Sequence, residues 1–158
     1  LKNYLGIDNG VTGSIGIILD NQYFYFKTPV KKELSYTKTK QWLNRIDFDI
    51  LKKDLSILNI HLAVIERPMV NPGRFKATMS AMRALEATQI ILEQLKIPYQ
   101  WIDSKEWQKA MLPAGLEKEE LKEASLQIGK RLFPNIKWDE FDDADGILIA
   151  EYARRTGI

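Results

Sequence analysis

The sequence predicts an α/β fold: a mixed five-stranded sheet with helices on both faces. Three observations lead there. Residues 3–27 hold three short apolar segments separated only by turn residues, the pattern of an antiparallel meander. From residue 47 onward, helical periodicities alternate with short apolar strands, the pattern of crossover units. The chain has 158 residues, 45% of them hydrophobic, so residues 1–158 read as one domain able to bury a core.

The elements follow in order. Residues 3–8 form a buried strand ending at Asp8. Asn9-Gly10-Val11-Thr12-Gly13 is a turn with two glycines able to take positive φ. Residues 14–19 and 23–27 are the second and third strands, joined by a tight reversal at Asp20-Asn21-Gln22 and ended by Pro29. Residues 30–45 read as a basic connection, helical from Thr37. Ile50, Leu51, Leu55 and Leu58 recur at helical spacing behind Asp47 and Asp49, predicting a helix over 47–58. His61 to Ile65 is an apolar strand closed by Glu66. A right-handed crossover then places this strand parallel to the first, with Asp8 and Glu66 at one edge.

Pro68 to Lys76 reads as a loop and Ala77 to Leu95 as the longest helix. Tyr99 to Ile102 is the fifth strand. Asp103 and Glu106 fit a capping box for a short helix through Leu112. Glu117 to Phe133 is a helix ended by Pro134, and a last helix runs from about Phe141 to Arg155.

Composition removes several chemistries. Without cysteine there is no disulfide framework and no thiolate metal site. His61 is the sole histidine, which argues against a histidine-based zinc site or a Ser-His-Asp triad. A catalytic metal would therefore sit on oxygen ligands, favouring Mg²⁺ or Mn²⁺. No run of eighteen apolar residues suggests a membrane span. Asp8, Asn9 and Gly10 interrupt the N-terminal apolar stretch, so no signal peptide is expected. The net charge is only +2, but it is unevenly spread. Residues 27–45 carry Lys27, Lys31, Lys32, Lys38, Lys40 and Arg45 against Glu33; residues 67–83 carry Arg67, Arg74, Lys76 and Arg83 with no acid. Such stretches suit a phosphate backbone, or are simply solvated faces.

The acids are the strongest chemical signal. Asp8 and Glu66 close apolar strands, and Asp142-Asp143-Ala144-Asp145 opens an apolar helix pattern. Asp142 and Asp145 share a face if both are helical; Asp143 would then point about 100° away, toward an outer position or solvent. Converging carboxylates repel one another, which raises affinity for a divalent cation. Two-metal phosphodiester hydrolysis needs such a cluster. Each acid also has a plainer reading: Asp8 as a turn former, Asp142 and Asp145 as a helix cap matched to its dipole. A buried strand closed by Glu66 is harder to explain without a partner.

These residues resemble the RuvC-type Holliday-junction resolvases of the RNase H-like nuclease superfamily, especially phage members. The resemblance covers nearly the whole chain. It rests on Gly6-Ile7-Asp8-Asn9-Gly10 with Thr12-Gly13, and on Ile65-Glu66. Trp107-Gln108-Lys109, Lys122-Glu123-Ala124-Ser125, Leu132-Phe133-Pro134 and Asp142-Asp143-Ala144-Asp145-Gly146 complete it. It implies an RNase H-like fold and a homodimer that cuts four-way DNA junctions by paired symmetric nicks with Mg²⁺ or Mn²⁺. It further implies an intracellular, cytoplasmic protein, in the host cytoplasm if phage-encoded, serving DNA recombination or repair. Residue by residue, it implies Asp8, Glu66, Asp142 and Asp145 as metal ligands, with Lys109 and Lys122 beside the scissile phosphate or DNA backbone. The chain departs at Asn9, where the family often has proline. It also departs at Met69, where bacterial members place an aromatic near the junction crossover.

Arg67, Arg74, Phe75 and Lys76 follow Glu66 in the Pro-Gly loop, offering cations to phosphates and a ring to an unstacked base. Phe75 also reads as a core anchor. Ala77, Ala81 and Ala84 permit close helix–helix approach, either in a dimer or against the chain's own sheet. Besides a junction resolvase, the sequence admits a broader nuclease acting on flaps, three-way branches or other branched nucleic acid. A non-catalytic binder of branched DNA and an actin-like ATP-binding domain are weaker alternatives; the second lacks length and a second phosphate loop.

Overall fold

A computed structural model describes residues 2–158. Its first three strands are β1 (Tyr4–Asp8), β2 (Ser14–Leu19) and β3 (Gln22–Lys27). They form the expected antiparallel meander, with Leu19 paired directly to Gln22 across an Asp20-Asn21 turn. Asp20 takes φ +45° there, a conformation that aspartate tolerates in tight hairpins. After helix α1 (Phe48–Ser56), strand β6 (Leu62–Glu66) lies parallel to β1, and β7 (Tyr99–Ile102) lies parallel to β6. The sheet order is β3-β2-β1-β6-β7, mixed and five-stranded as the sequence predicts.

Residues 30–45 differ from expectation. They are not helical but form a separate two-stranded hairpin, β4 (Val30–Leu34) with β5 (Trp42–Ile46). The physical reason is visible afterwards. No apolar stripe at helical spacing runs through Thr37-Lys38-Thr39-Lys40, and these residues make the bend between the two strands. The tip is fastened instead by Ser35, whose N–H donates to the Gln41 carbonyl at 2.8 Å and whose Oγ accepts from the Gln41 N–H at 3.1 Å.

The other helices are α2 (Phe75–Gln94), α3 (Ser104–Met111), α4 (Lys118–Leu132) and α5 (Asp145–Thr156). A short 3₁₀ turn at Pro72–Arg74 leads into α2, so the helix begins two residues early. The capping box expected at Asp103 does not form: the Asp103 carboxylate pairs with Arg67 at 2.8 Å. A Glu–Glu version appears at α4, where Glu120 accepts from the Glu117 N–H at 2.6 Å. Among the described residues, no helix is long and apolar enough to cross a membrane.

Two cores flank the sheet. Leu5, Ile7, Ile15 and Ile17 face α1 and α2, packing with Leu51, Leu55, Ile91 and Leu92. Tyr4, Ile18, Val64 and Ile102 face the opposite way, onto Trp107, Trp138, Ile147 and Leu148. Strand alternation therefore puts Gly6, Asp8, Ser14, Gly16 and Glu66 on the face that α5 covers. Gly6 and Gly16 are cross-strand partners and together make a floor without side chains. A Cβ on Gly6 would stand 2.1 Å from the Gly146 carbonyl, and one on Gly16 would stand 2.2 Å from the Ile147 Cα. Only glycine lets α5 settle this close. In the turn after β1, Gly10 takes φ +127°. Gly13, expected to do likewise, is needed for space, since a Cβ there would stand 1.9 Å from the Asp8 carbonyl.

Gly16→Val pushes branched carbon into helix backbone that has no room to yield. The expected loss is roughly 3 kcal/mol, about 6–12 °C in melting temperature. Gly115→Ala, where space is open but φ is +77°, serves as the comparison and costs about 1 kcal/mol. Thermal unfolding followed by circular dichroism checks both.

Candidate active site

The site forms where two strand ends meet a helix start. Asp8 closes β1 and Glu66 closes β6. Ile7 pairs with Ile65 in parallel register, so the two acids stand side by side at the carboxyl edge of the sheet. Asp145 is the first residue of α5, and the Gly6–Gly16 floor sets that helix directly over β1 and β2. The Gly146 N–H donates to Ser14 Oγ at 3.0 Å and fixes the depth of the helix start.

The structure brings Asp8, Asp143 and Asp145 together, with one carboxylate oxygen of each within 4.8 Å of the others. Asp142 is exposed and stands outside this group. The expected pairing of Asp142 with Asp145 assumed a helix from Phe141. The helix instead starts at Asp145, so Asp142 and Asp143 lie in its non-helical approach. There Asp143 turns inward. Its Oδ1 accepts from the Asp145 N–H at 3.1 Å and from the Tyr25 hydroxyl at 3.2 Å. Nothing in the sequence pattern distinguishes Asp143 from Asp142 once the helix start is misplaced by four residues.

Three of the four acids have their own neutral support. Trp107 Nε1 donates to Glu66 Oε1 at 2.7 Å. Ser125 Oγ donates to Asp145 Oδ1 at 2.5 Å while accepting from the Ala144 N–H at 2.9 Å. Tyr25 also donates to the Asp143 carbonyl at 3.0 Å. Ser125 and Trp107 are fully buried, and both lie in the short motifs that carry the resemblance, but their support of the acids depends on tertiary contacts that the motifs do not display. Tyr25 is held by an aromatic group, its ring centroid 4.5 Å from Phe141 and 5.4 Å from Trp138.

The electrostatics follow from crowding. Burial, then the charges of Glu66, Asp145 and Asp143, push the Asp8 carboxyl well above the usual carboxylate range. Burial also raises Glu66, opposed by its hydrogen bonds to Trp107 and Asp8. Asp145 is pushed up to about 7 by burial and Asp143; the Ser125 hydrogen bond and the Lys122 charge pull the other way. Burial keeps the Tyr25 hydroxyl firmly protonated. An all-oxygen set of gathered acids, with no cation within the cluster, fits a hard divalent ion.

Of the remaining expected residues, Lys122 and Arg67 are the ones tied to this centre, Arg67 by following Glu66 directly. Lys122, on α4, is close enough to influence Asp145. Lys109 is exposed on α3. Arg67 is exposed and paired with Asp103. Arg74, Phe75 and Lys76 are exposed where the 3₁₀ turn enters α2. Phe75 is not a core anchor, being 70% exposed.

A carboxyl raised on folding binds its proton more tightly in the native state, so stability falls as pH rises through the window between the two pKa values. For Asp145 that window runs from 3.8 to about 7. Without divalent metal, the protein is expected to melt at a lower temperature at pH 8 than at pH 5. Asp145→Asn keeps an acceptor for Ser125 and removes a charge; it should raise the metal-free melting temperature at pH 8 by ~2–8 °C, or about 1–2 kcal/mol. A scan of melting temperature against pH in EDTA checks both.

No protein-family model matches the sequence, and no curated protein matches it. Two solved structures of Thermus thermophilus RuvC are similar in three dimensions. The one in complex with Holliday junction substrate has a TM-score of 0.66 at 12% identity, over 99% of this chain and 97% of that one. The other has a TM-score of 0.62 at 14% identity, over 98% and 96%. At such identity the likeness is one of fold: this chain has the mixed, helix-flanked sheet of RuvC, the RNase H-like fold.

Proposed function

We propose that this protein is a metal-dependent, structure-selective DNA endonuclease. It resolves four-way junctions by paired, symmetric phosphodiester hydrolysis, acting as a homodimer. The observation that carries this reading is the gathering of Asp8, Asp143 and Asp145, flanked by Glu66, at the carboxyl edge of the sheet. Folding has forced like charges together, and a divalent cation, Mg²⁺ or Mn²⁺, is the natural counter-charge. Asp8, Asp143 and Asp145 would hold it, with Glu66 alongside; Asp143 takes the part the sequence reading gave to Asp142. When bound, such an ion supplies Lewis-acid polarisation of a phosphoryl oxygen and lowers the pKa of water.

The chain's own residues do the positioning. Trp107 orients Glu66, Ser125 orients Asp145, and Tyr25 orients Asp143. Rigid strand ends and a helix pinned by glycine keep these carboxylates from collapsing onto other partners. Lys122, facing Asp145, offers a cation to the phosphate undergoing reaction, and Lys109 one to the adjoining backbone. Arg67, Arg74 and Lys76 supply phosphate contacts beside the site. Phe75 presents its exposed ring to an unstacked base at a branch point. Paired cuts need two such sites, which is why the reading includes a dimer.

Labelled immobile four-way junctions, flaps and duplexes, incubated with Mg²⁺, Mn²⁺ or EDTA, test the proposal. Symmetric nicks in the junction that require metal are expected. Asp8→Asn, Asp143→Asn and Asp145→Asn should each lower the rate by about 10³-fold, some 4 kcal/mol of barrier. Asp142→Asn should stay within about 3-fold of wild type, the equivalent of less than 1 kcal/mol. Equal cutting of flaps and junctions would instead identify a broader nuclease of branched DNA. Tight junction binding without cleavage under any metal would leave a binding protein. Phe75→Ala tests the ring separately: junction cutting should fall about 10-fold, by ~1.4 kcal/mol, with the melting temperature unmoved.

A further inference from the structure

The β4–β5 hairpin is the largest feature that the carboxylate centre does not use. Its position follows from register. Asp8 pairs with Ser14, and Ser14 pairs with Lys27. One row therefore crosses β1, β2 and β3, and at ~4.8 Å per strand the Lys27 backbone lies about 10 Å from that of Asp8. β1 and β3 are both antiparallel to β2, so β3 runs toward the same edge as β1. The chain leaves the sheet there and enters the hairpin three residues later, at Val30. Both roots are fastened: the Thr28 N–H donates to the Gly13 carbonyl at 3.1 Å, and the Asp47 N–H to the Pro29 carbonyl at 2.8 Å. Two five-residue strands give an arm roughly 17 Å long, tip excluded.

The arm is charged far beyond the rest of the molecule. Residues 27–46 hold six of the 23 cations and one of the 21 acids, leaving 17 cations and 20 acids elsewhere. The chain is basic only because of this segment. Its single acid, Glu33, is taken up by Arg45 at 2.9 Å. Among the described residues, Lys27, Lys31, Lys32, Lys38 and Lys40 have no ion-pair partner. Packing accounts for only part of the arm, β5 lying against α2 near Arg83 and Ala84. Ile46 is buried at its root, but Trp42 is 69% exposed, and Val30, Leu34 and Tyr36 are exposed as well. A two-stranded hairpin is marginal by itself, and here its outer part beyond the contact with α2 stays exposed.

We infer that the β4–β5 hairpin is a second DNA-binding element, an arm that grips the phosphate backbone of a duplex leading away from the carboxylate centre. The inference rests on the nuclease reading above. A duplex presents one charge per ~1.7 Å of axis, so an arm of ~17 Å spans about five base pairs. That matches lysines spread from root to tip rather than clustered. The contact is with backbone and carries no base specificity. Trp42 lies on the same strand face as Lys32 and Leu34, so its ring is shielded when DNA lies along that face.

The test is equilibrium binding in EDTA, read by fluorescence anisotropy of a labelled four-way junction across a salt series. Two variants are compared with wild type. One carries Lys31→Gln, Lys32→Gln, Lys38→Gln and Lys40→Gln; the other removes the same charge elsewhere, through Lys53→Gln, Lys96→Gln, Lys130→Gln and Lys137→Gln. The arm variant is expected to bind about 10²-fold more weakly at 0.1 M salt, with a log–log salt slope shallower by ~3–4. The second variant should keep the wild-type slope to within about 1. DNA should also protect wild-type tryptophan fluorescence from acrylamide, and Trp42→Phe should abolish that protection. Equal loss in both variants, or an unchanged slope in the arm variant, overturns the arm while leaving the nuclease reading intact. Wild-type protein that binds no DNA overturns both.

Discussion

The close seat of α5 on β1 and β2 is the contact on which the rest of this structure depends. Gly6 and Gly16 form a bare patch across two strands, and the start of α5 lies on it with no side chain between. Three consequences follow. Asp145 is carried to Asp8, Ser14 can accept the Gly146 N–H, and the lead-in residue Asp143 must turn back over the same edge. The glycines remove apolar contact that an alanine or valine would supply. What the fold gains is proximity, because strand side chains of ordinary size would hold the helix and its carboxylate several ångströms further from the sheet.

Proximity of like charges costs stability, and the structure shows how that cost is contained. The acids are not paired with arginines, as Glu151 is with Arg154 and Arg155. Neutral donors support them instead: an indole N–H for Glu66, a serine hydroxyl for Asp145, a tyrosine hydroxyl for Asp143. Neutral donors orient a carboxylate without cancelling its charge. Arginines would stabilise the protein more and would also satisfy the acids, removing the attraction for a metal ion that the proposed function requires. Stored repulsion, held in a defined geometry, distinguishes this cluster from a surface salt-bridge network.

Much of this was legible in the sequence because the responsible signals are local. The meander, the crossover strand and the two strand-end acids follow from apolar runs and turn residues read a few positions at a time. What the sequence does not display depends on contacts distant in the chain. The Asp142–Asp145 stretch looks helical from Phe141, since an apolar pattern begins nearby. The helix starts later because the Ala144 N–H is satisfied by Ser125 of α4, nineteen residues away, and the Asp145 N–H by Asp143 itself. That choice decides which aspartate faces inward, and no periodicity encodes it. The β4–β5 hairpin is illegible in the sequence for a related reason. Its strands alternate too weakly, because neither face is fully covered.

The charge distribution joins these features into one physical problem. A site built from concentrated acid repels any polyanion, and outside residues 27–46 the chain carries more acids than cations. On the proposed function, DNA must nevertheless approach the most negative part of the molecule. A divalent ion reverses the field only at the cluster itself, and over a Debye length of about 10 Å its influence fades. Attraction over a longer stretch of duplex has to come from fixed cations beside the site but outside it. Arg67 adjoins the site beside Glu66, and the segment leaving β3 supplies more cations on another flank. Keeping those cations off the carboxylate edge matters equally. Placed among the carboxylates, the same lysines would neutralise them and compete with metal. On the proposed function, separate acidic and basic elements, joined at one edge of a rigid sheet, would let the molecule hold both the ion and the polyanion.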